Sequence, residues 1–190
     1  MEIRVENLCK AYGGEAVLKN LTFTAAPGIT CIMAPSGTGK TTLLRILLGL
    51  EKPDSGVVSM PKDCRWSAVF QEDRLLEQLD AAGNLRFALG AAYEEQAACL
   101  LLEELGLETA AGKSVRDYSG GMRRRLALAR ALLAPFDALV LDEPFSGLDG
   151  ENRNRAIACI RRETAGKPVL LVTHDESDVA ALEAVTIRLT

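Results

Sequence analysis

Apolar residues along this chain fall into short alternating or unbroken runs at both ends and into helical spacing between them. Alternation over residues 2–6, β-branched and apolar residues over 17–24, and a continuous apolar run over 29–34 predict three strands, the last of them buried and central. A glycine-rich turn follows, and leucines at helical spacing over 41–50 predict a helix that stops near Gly49. The turn chemistry of Lys52-Pro53-Asp54-Ser55-Gly56 then separates this helix from strands expected over 57–60 and 66–70. Residues 84–105, rich in Ala, Leu and Glu, predict helices. Beyond them the chain alternates: a helix over 121–134, a strand over 138–142, a helix over 152–162, a strand over 169–173 and a short helix over 180–183. Such alternation predicts an α/β fold, a mostly parallel sheet with helices on its faces. No internal repeat, low-complexity tract or long linker divides the chain, so a single domain is expected over 1–190.

Composition narrows the functions such a fold can carry. Of 190 residues, 48% are apolar, enough to bury a core, so disorder is not expected. A formal net charge of −4 argues against a nucleic-acid coat protein. The five cysteines, Cys9, Cys31, Cys64, Cys99 and Cys159, are scattered with no CxxC pair, which suggests neither a disulfide framework nor a zinc site and suits a reducing cytosol. The opening residues Met1 to Val5 lack the apolar core of a signal peptide, and no uncharged apolar run approaches the roughly 20 residues of a spanning helix.

The segment Ala34-Pro35-Ser36-Gly37-Thr38-Gly39-Lys40-Thr41-Thr42 fits the phosphate-binding pattern GxxxxGK[ST] except at its first position, Ala34. Glycines allow backbone N–H groups to curl around phosphate oxygens, and the helix that follows presents its positive end. Lys40 supplies charge toward the outer phosphates, and the Thr41 hydroxyl can ligate Mg2+. Ala138 to Asp142 forms an apolar strand ending in Asp142 and Glu143. Asp142 is expected to hold Mg2+, and Glu143 to polarise a water that attacks the γ-phosphate. His174, the only histidine, directly follows the apolar run 169–173, and Gln71 directly follows 66–70; both are strand-end positions where ligands bind in open α/β sheets. An amide at Gln71 can ligate Mg2+ or orient water.

Ser119-Gly120-Gly121-Met122-Arg123 resembles the LSGGQ signature of ABC transporter ATPases, and the order of segments resembles that family over nearly the whole chain. Tyr12 resembles the aromatic residue that stacks on adenine, Ala34 to Thr42 the Walker A loop, and Gln71 the Q-loop residue. Residues 138–143 resemble Walker B with its glutamate, Ser146-Gly147-Leu148-Asp149 the D-loop, and His174 the switch histidine. The resemblance implies a P-loop NTPase core, an N-terminal antiparallel β subdomain and a helical subdomain over roughly 72–134, whose insert would touch membrane subunits. It implies ATP bound through Tyr12, Ser36, Gly37, Thr38, Gly39, Lys40, Thr41 and Thr42, and catalysis by Glu143, His174 and Lys40. Ser119, Gly120, Gly121 and Asp149 would act in trans across a head-to-tail dimer. The implied partners are a second ATPase subunit, transmembrane permease subunits and, for an importer, a solute-binding protein; nucleic acid is not among them. The implied location is cytoplasmic, on the inner face of the cell membrane. Phe70 to Leu76 looks most like importers of the nitrate, sulfonate and taurine type, so the chain is expected to power bacterial import of a small solute; the alternative is a soluble ABC ATPase outside transport, in iron–sulfur assembly, translation or repair. Two departures stand out, Tyr118 and Met122 in place of Leu and Gln in the signature. Arg123, Arg124, Arg125 and Arg130 form a basic run on the helix over 121–134; they are expected on a solvated face, supporting that helix.

Overall fold

The computed structural model describes residues 1–33, 38–110 and 112–188. Two compact units share these residues: Met1–Trp66 with Asp137–Leu141 and Ala165–Thr190, and Ser67–Phe136 with Asp142–Thr164.

In the first unit, β1 (Ile3–Tyr12) and β2 (Glu15–Ala25) pair antiparallel through Gly13 and Gly14, both at positive φ as a tight hairpin needs. β4 (Ser55–Ser59) pairs antiparallel with the other edge of β1, giving the order β2-β1-β4. Alternation buries Ile3 and Val5 of β1 together with Phe23 and Ala25 of β2. A second, parallel sheet has the order β5-β6-β7-β3-β8, with β3 (Gly28–Met33), β5 (Trp66–Val69), β6 (Ala138–Asp142), β7 (Pro168–Val172) and β8 (Val185–Arg188). Every residue of β6 and β7 is buried, which is why both read as unbroken apolar runs. β8 escapes that pattern: it is an edge strand with Val185, Thr186 and Arg188 exposed, and its pairing comes wholly from β3. Helix α1 (Lys40–Leu47) buries Leu43, Leu44, Ile46 and Leu47 and ends just before Gly49, the expected stop, which takes a left-handed backbone. The closing helix α6 (Glu176–Leu182) begins earlier than expected, capped by Asp175.

Apart from Ser67–Val69 of β5 and Asp142 of β6, the regular elements of the second unit are helical. The predicted stretch 84–105 is two helices, α2 (Ala81–Leu89) and α3 (Glu95–Glu104), broken at Gly90, whose φ of 52° no helix interior permits. Asp80 starts α2 by accepting the Gly83 amide at 2.7 Å. Helices α4 (Gly120–Leu133) and α5 (Gly150–Glu163) follow. Arg162 of α5 grips Glu104 of α3 through two bonds of 2.7 and 2.5 Å. The helical part expected over 72–134 lies inside this unit, which also takes in α5. Arg124 and Arg125 are only 6% and 7% exposed, contrary to the solvated face expected of them. Their guanidinium groups turn inward onto backbone carbonyls, a use of arginine that hydrophobic patterning does not register.

Candidate functional site

The expected phosphate-binding residues fall on the first unit, between β3 and α1. Gly39 caps α1 with φ 86° and brings no side-chain hydrogen bond, and the first turn holds no acidic residue. A glycine is required there twice over: the left-handed backbone disfavours any Cβ, and a Cβ would lie 2.7 Å from Val17 Cγ1 and 2.8 Å from the Val17 carbonyl. The first amides of any α-helix find no partner within the helix itself, so the positive end of a helix such as α1 suits an anion. Lys40 opens the helix, Thr41 is exposed on its first turn, and Thr38 and Thr42 are partly exposed. Ser36 and Gly37, with Ala34, lie outside the described residues.

β3 runs parallel to β7 with Ile32 opposite Val172, so the chain leaves both strands at the same sheet edge. The residues after β7 are fixed by Thr173, fully buried, whose hydroxyl donates to Asp178 at 2.9 Å and accepts the Asp175 amide at 3.1 Å. His174 sits between these anchors and is exposed. Tyr12, 47% exposed at the end of β1, donates its hydroxyl to Glu51. That bond, with Lys10 beside it, holds the Glu51 carboxyl below its ordinary range. Lys10 lies 5.4 Å from the Tyr12 ring centre and is itself held by Asp54 at 3.2 Å and the Lys52 carbonyl at 2.9 Å. The ring is thus presented to solvent in a fixed orientation, and Lys10, Glu51 and Asp54 are supports that motif matching did not single out.

In the second unit, Asp142 closes β6 and is 7% exposed. Glu143 adopts φ 50°, a left-handed backbone rare for a side chain of its size and rarer before proline. Such conformations cost about 1–3 kcal/mol and concentrate at functional sites. Gln71 is exposed, and its carbonyl accepts Arg124 Nη2 at 2.7 Å. Ser119 caps α4, its hydroxyl accepting the Met122 amide at 3.2 Å, while Gly120 is exposed with open space where a Cβ would stand. A Cβ on Gly121 would lie 3.0 Å from the Gly147 carbonyl, so the Ser119–Gly121 turn packs against the loop that leads to Asp149. Asp149 caps α5, accepting the Asn152 amide at 2.9 Å and side chain at 2.8 Å; these bonds hold its carboxyl below the ordinary range. Tyr118, the departure from the signature, is buried and donates its hydroxyl to the Ala110 carbonyl at 3.1 Å.

Each unit therefore gathers its own share. Lys40, Thr41, Tyr12 and His174 belong to the first, and Gln71, Ser119, Gly120, Gly121, Asp142, Glu143 and Asp149 to the second.

A strand, glycine turn and helix opening at the sheet edge that also carries a strand-end histidine define a nucleoside-triphosphate-binding α/β protein. Residues 18–146 match the ABC transporter family. The chain is 39% identical over 186 residues to the aliphatic sulfonates import ATP-binding protein of Rhodococcus jostii, spanning 94% of this chain and 75% of that protein. It is 38% identical to the Fe(3+) ions import ATP-binding protein of Streptomyces coelicolor, over 95% of this chain and 57% of that longer protein. Among solved structures, the ATP-binding subunit of an ABC transporter superposes with a TM-score of 0.87 at 23% identity, over all of this chain and 86% of that one, which is likeness of fold. The chain belongs to the ABC transporter family and is an ATP-binding, ATP-hydrolysing member of it. Among the described residues no helix is long and apolar enough to cross a membrane.

Proposed function

We propose that this chain powers the import of a small solute by hydrolysing ATP on the cytoplasmic face of the membrane, as one of two ATPase subunits joined to transmembrane permease subunits. A sulfonate-type solute, delivered by a solute-binding protein, is the reading that the relatives and the Phe70 to Leu76 segment favour. The observation that carries the reading is the parallel pairing of β3 and β7, which leads the chain toward Gly39 and the start of α1 from one strand and toward His174 from the other at the same sheet edge.

In this reading Tyr12 stacks on adenine, and Ser36, Gly37, Thr38, Gly39 and Thr42 line the phosphates with backbone and hydroxyl donors. Lys40 neutralises charge on the outer phosphates. Mg2+ prefers oxygen donors, and in this reading the Thr41 hydroxyl of the first unit, the Asp142 carboxylate and Gln71 amide of the second, and the nucleotide itself supply them. Bound there, it would offset charge developing on the transferred phosphoryl group. Glu143 accepts a proton from water as that water attacks the γ-phosphorus, and ADP leaves with the electrons of the broken P–O bond. His174 holds the γ-phosphate, and Ser119, Gly120 and Gly121 of the second subunit close on it, with Asp149 at the same junction.

Tagged Glu143→Gln protein, incubated with ATP and native membranes and then recovered, tests the assignment. Co-purification of a multi-spanning membrane protein is expected; recovery of soluble assembly or ribosomal factors alone would contradict it.

A further inference from the structure

The segment Phe70 to Arg74 has no regular secondary structure, so its carbonyls have no ladder to join. Four of its five are nonetheless taken, all by two arginines of α4. Arg124 donates Nη1 to the Phe70 carbonyl at 2.6 Å and Nη2 to the Gln71 carbonyl at 2.7 Å. Arg130 donates Nη2 to the Asp73 carbonyl at 2.8 Å and Nη1 to the Arg74 carbonyl at 2.6 Å. Arg124 also pairs with the Asp73 carboxylate at 3.1 Å. Further features mark the loop as held rather than free. Arg74 takes a left-handed φ of 49° and lays its guanidinium over the Phe70 ring at 4.2 Å. Downstream, buried Asn84 accepts the Leu76 amide at 2.8 Å and donates to the Leu76 carbonyl at 3.0 Å.

We propose that Arg124 and Arg130 are positioning residues for hydrolysis: by gripping the backbone of residues 70–74 they fix where Gln71 is presented, and they tie that presentation to α4, the helix that begins at Ser119-Gly120-Gly121. The proposal rests on the reading of Gln71 as a residue that serves turnover. With its carbonyl committed to Arg124, Gln71 is left exposed in one defined place. The planar fork of Arg124 reaches the two adjacent carbonyls of Phe70 and Gln71 in fixed geometry; a lysine ammonium keeps the charge and loses that geometry.

The test compares Arg124→Lys and Gln71→Ala, singly and together, in the full chain. Arg124→Lys is expected to raise hydrogen exchange in the peptide covering 70–76, to lower kcat about tenfold, and to leave KM for ATP within about twofold. Acting through Gln71, it should cost little further in the double variant, whose kcat should match that of Gln71→Ala within about twofold. A purely structural role would lower melting temperature and kcat without that dependence. Unchanged exchange over 70–76, or a double variant whose loss is the product of the two single losses, overturns the proposal. Parental turnover in Gln71→Ala would instead overturn the underlying reading of Gln71, which the exchange measurement registers separately. Should Arg124→Lys fail to fold, Arg130→Lys reads the same loop from its Asp73–Arg74 end.

Discussion

Lys40 and Gln71 both stand just beyond a strand of the same sheet, yet different means hold them there. Lys40 is fixed by its sequence neighbours: a glycine that alone can take φ 86°, a helix that starts on it, and the strand just before it in the chain. Gln71 is fixed from 53 positions away, by an arginine whose guanidinium ends on its carbonyl. The first kind of support is spelled out in consecutive residues and makes a motif. The second is a property of packing, in which a charged side chain is buried because backbone carbonyls need donors.

Separating these two kinds of support experimentally should split stability from nucleotide affinity. The largest effect is expected at Arg125, which donates to the carbonyls of Leu105 and Gly106 at 2.5 and 2.8 Å just beyond the end of α3. Arg125→Ala strands both acceptors and is expected to lower unfolding free energy by about 3 kcal/mol in denaturant titration. ATP affinity of the folded fraction should hold. A variant as stable as the parent would break the comparison. Lys40→Ala should do the reverse, weakening ATP binding about thirtyfold, or ~2 kcal/mol, at unchanged melting temperature; unchanged binding in a fluorescence titration would remove the phosphate-loop assignment.

The smallest effect concerns pH. Asp137 accepts the Arg65 amide at 2.9 Å and its guanidinium at 3.0 Å through each oxygen, and these bonds hold its carboxyl well below the ordinary value of 3.8. A lowered carboxylate pKa means the folded state binds its proton less readily than the unfolded chain does. The contribution is therefore present above pH 3.8 and is lost as pH falls toward the folded value. Because the pair is exposed the effect is small. Asp137→Asn should melt slightly below the parent at pH 6, with the gap closing toward pH 2.

Much of the architecture was legible where apolar runs and glycines speak for themselves. The runs over 138–142 and 169–173 read as strands because burial on both faces leaves no polar alternation, and β6 and β7 lie within a residue of them. The likeness of Phe70 to Leu76 to sulfonate-type importers agrees with the sulfonate import relatives. What patterning missed was set by tertiary context. β8 exists because β3 offers it an edge. Three arginines placed on water by their charge turn out to serve as hydrogen-bond donors to loop and helix-end carbonyls. The left-handed Glu143 could not have been read either, since nothing in Asp142-Glu143-Pro144 announces its backbone.

The central claim is that Glu143 activates water for ATP hydrolysis while other residues bind the nucleotide, and one paired measurement tests it: ATP affinity and turnover of Glu143→Gln beside the parent. We expect affinity to be retained and turnover to fall about a hundredfold or more, the scale of a lost general base. Hydrolysis at the parental rate would contradict the account.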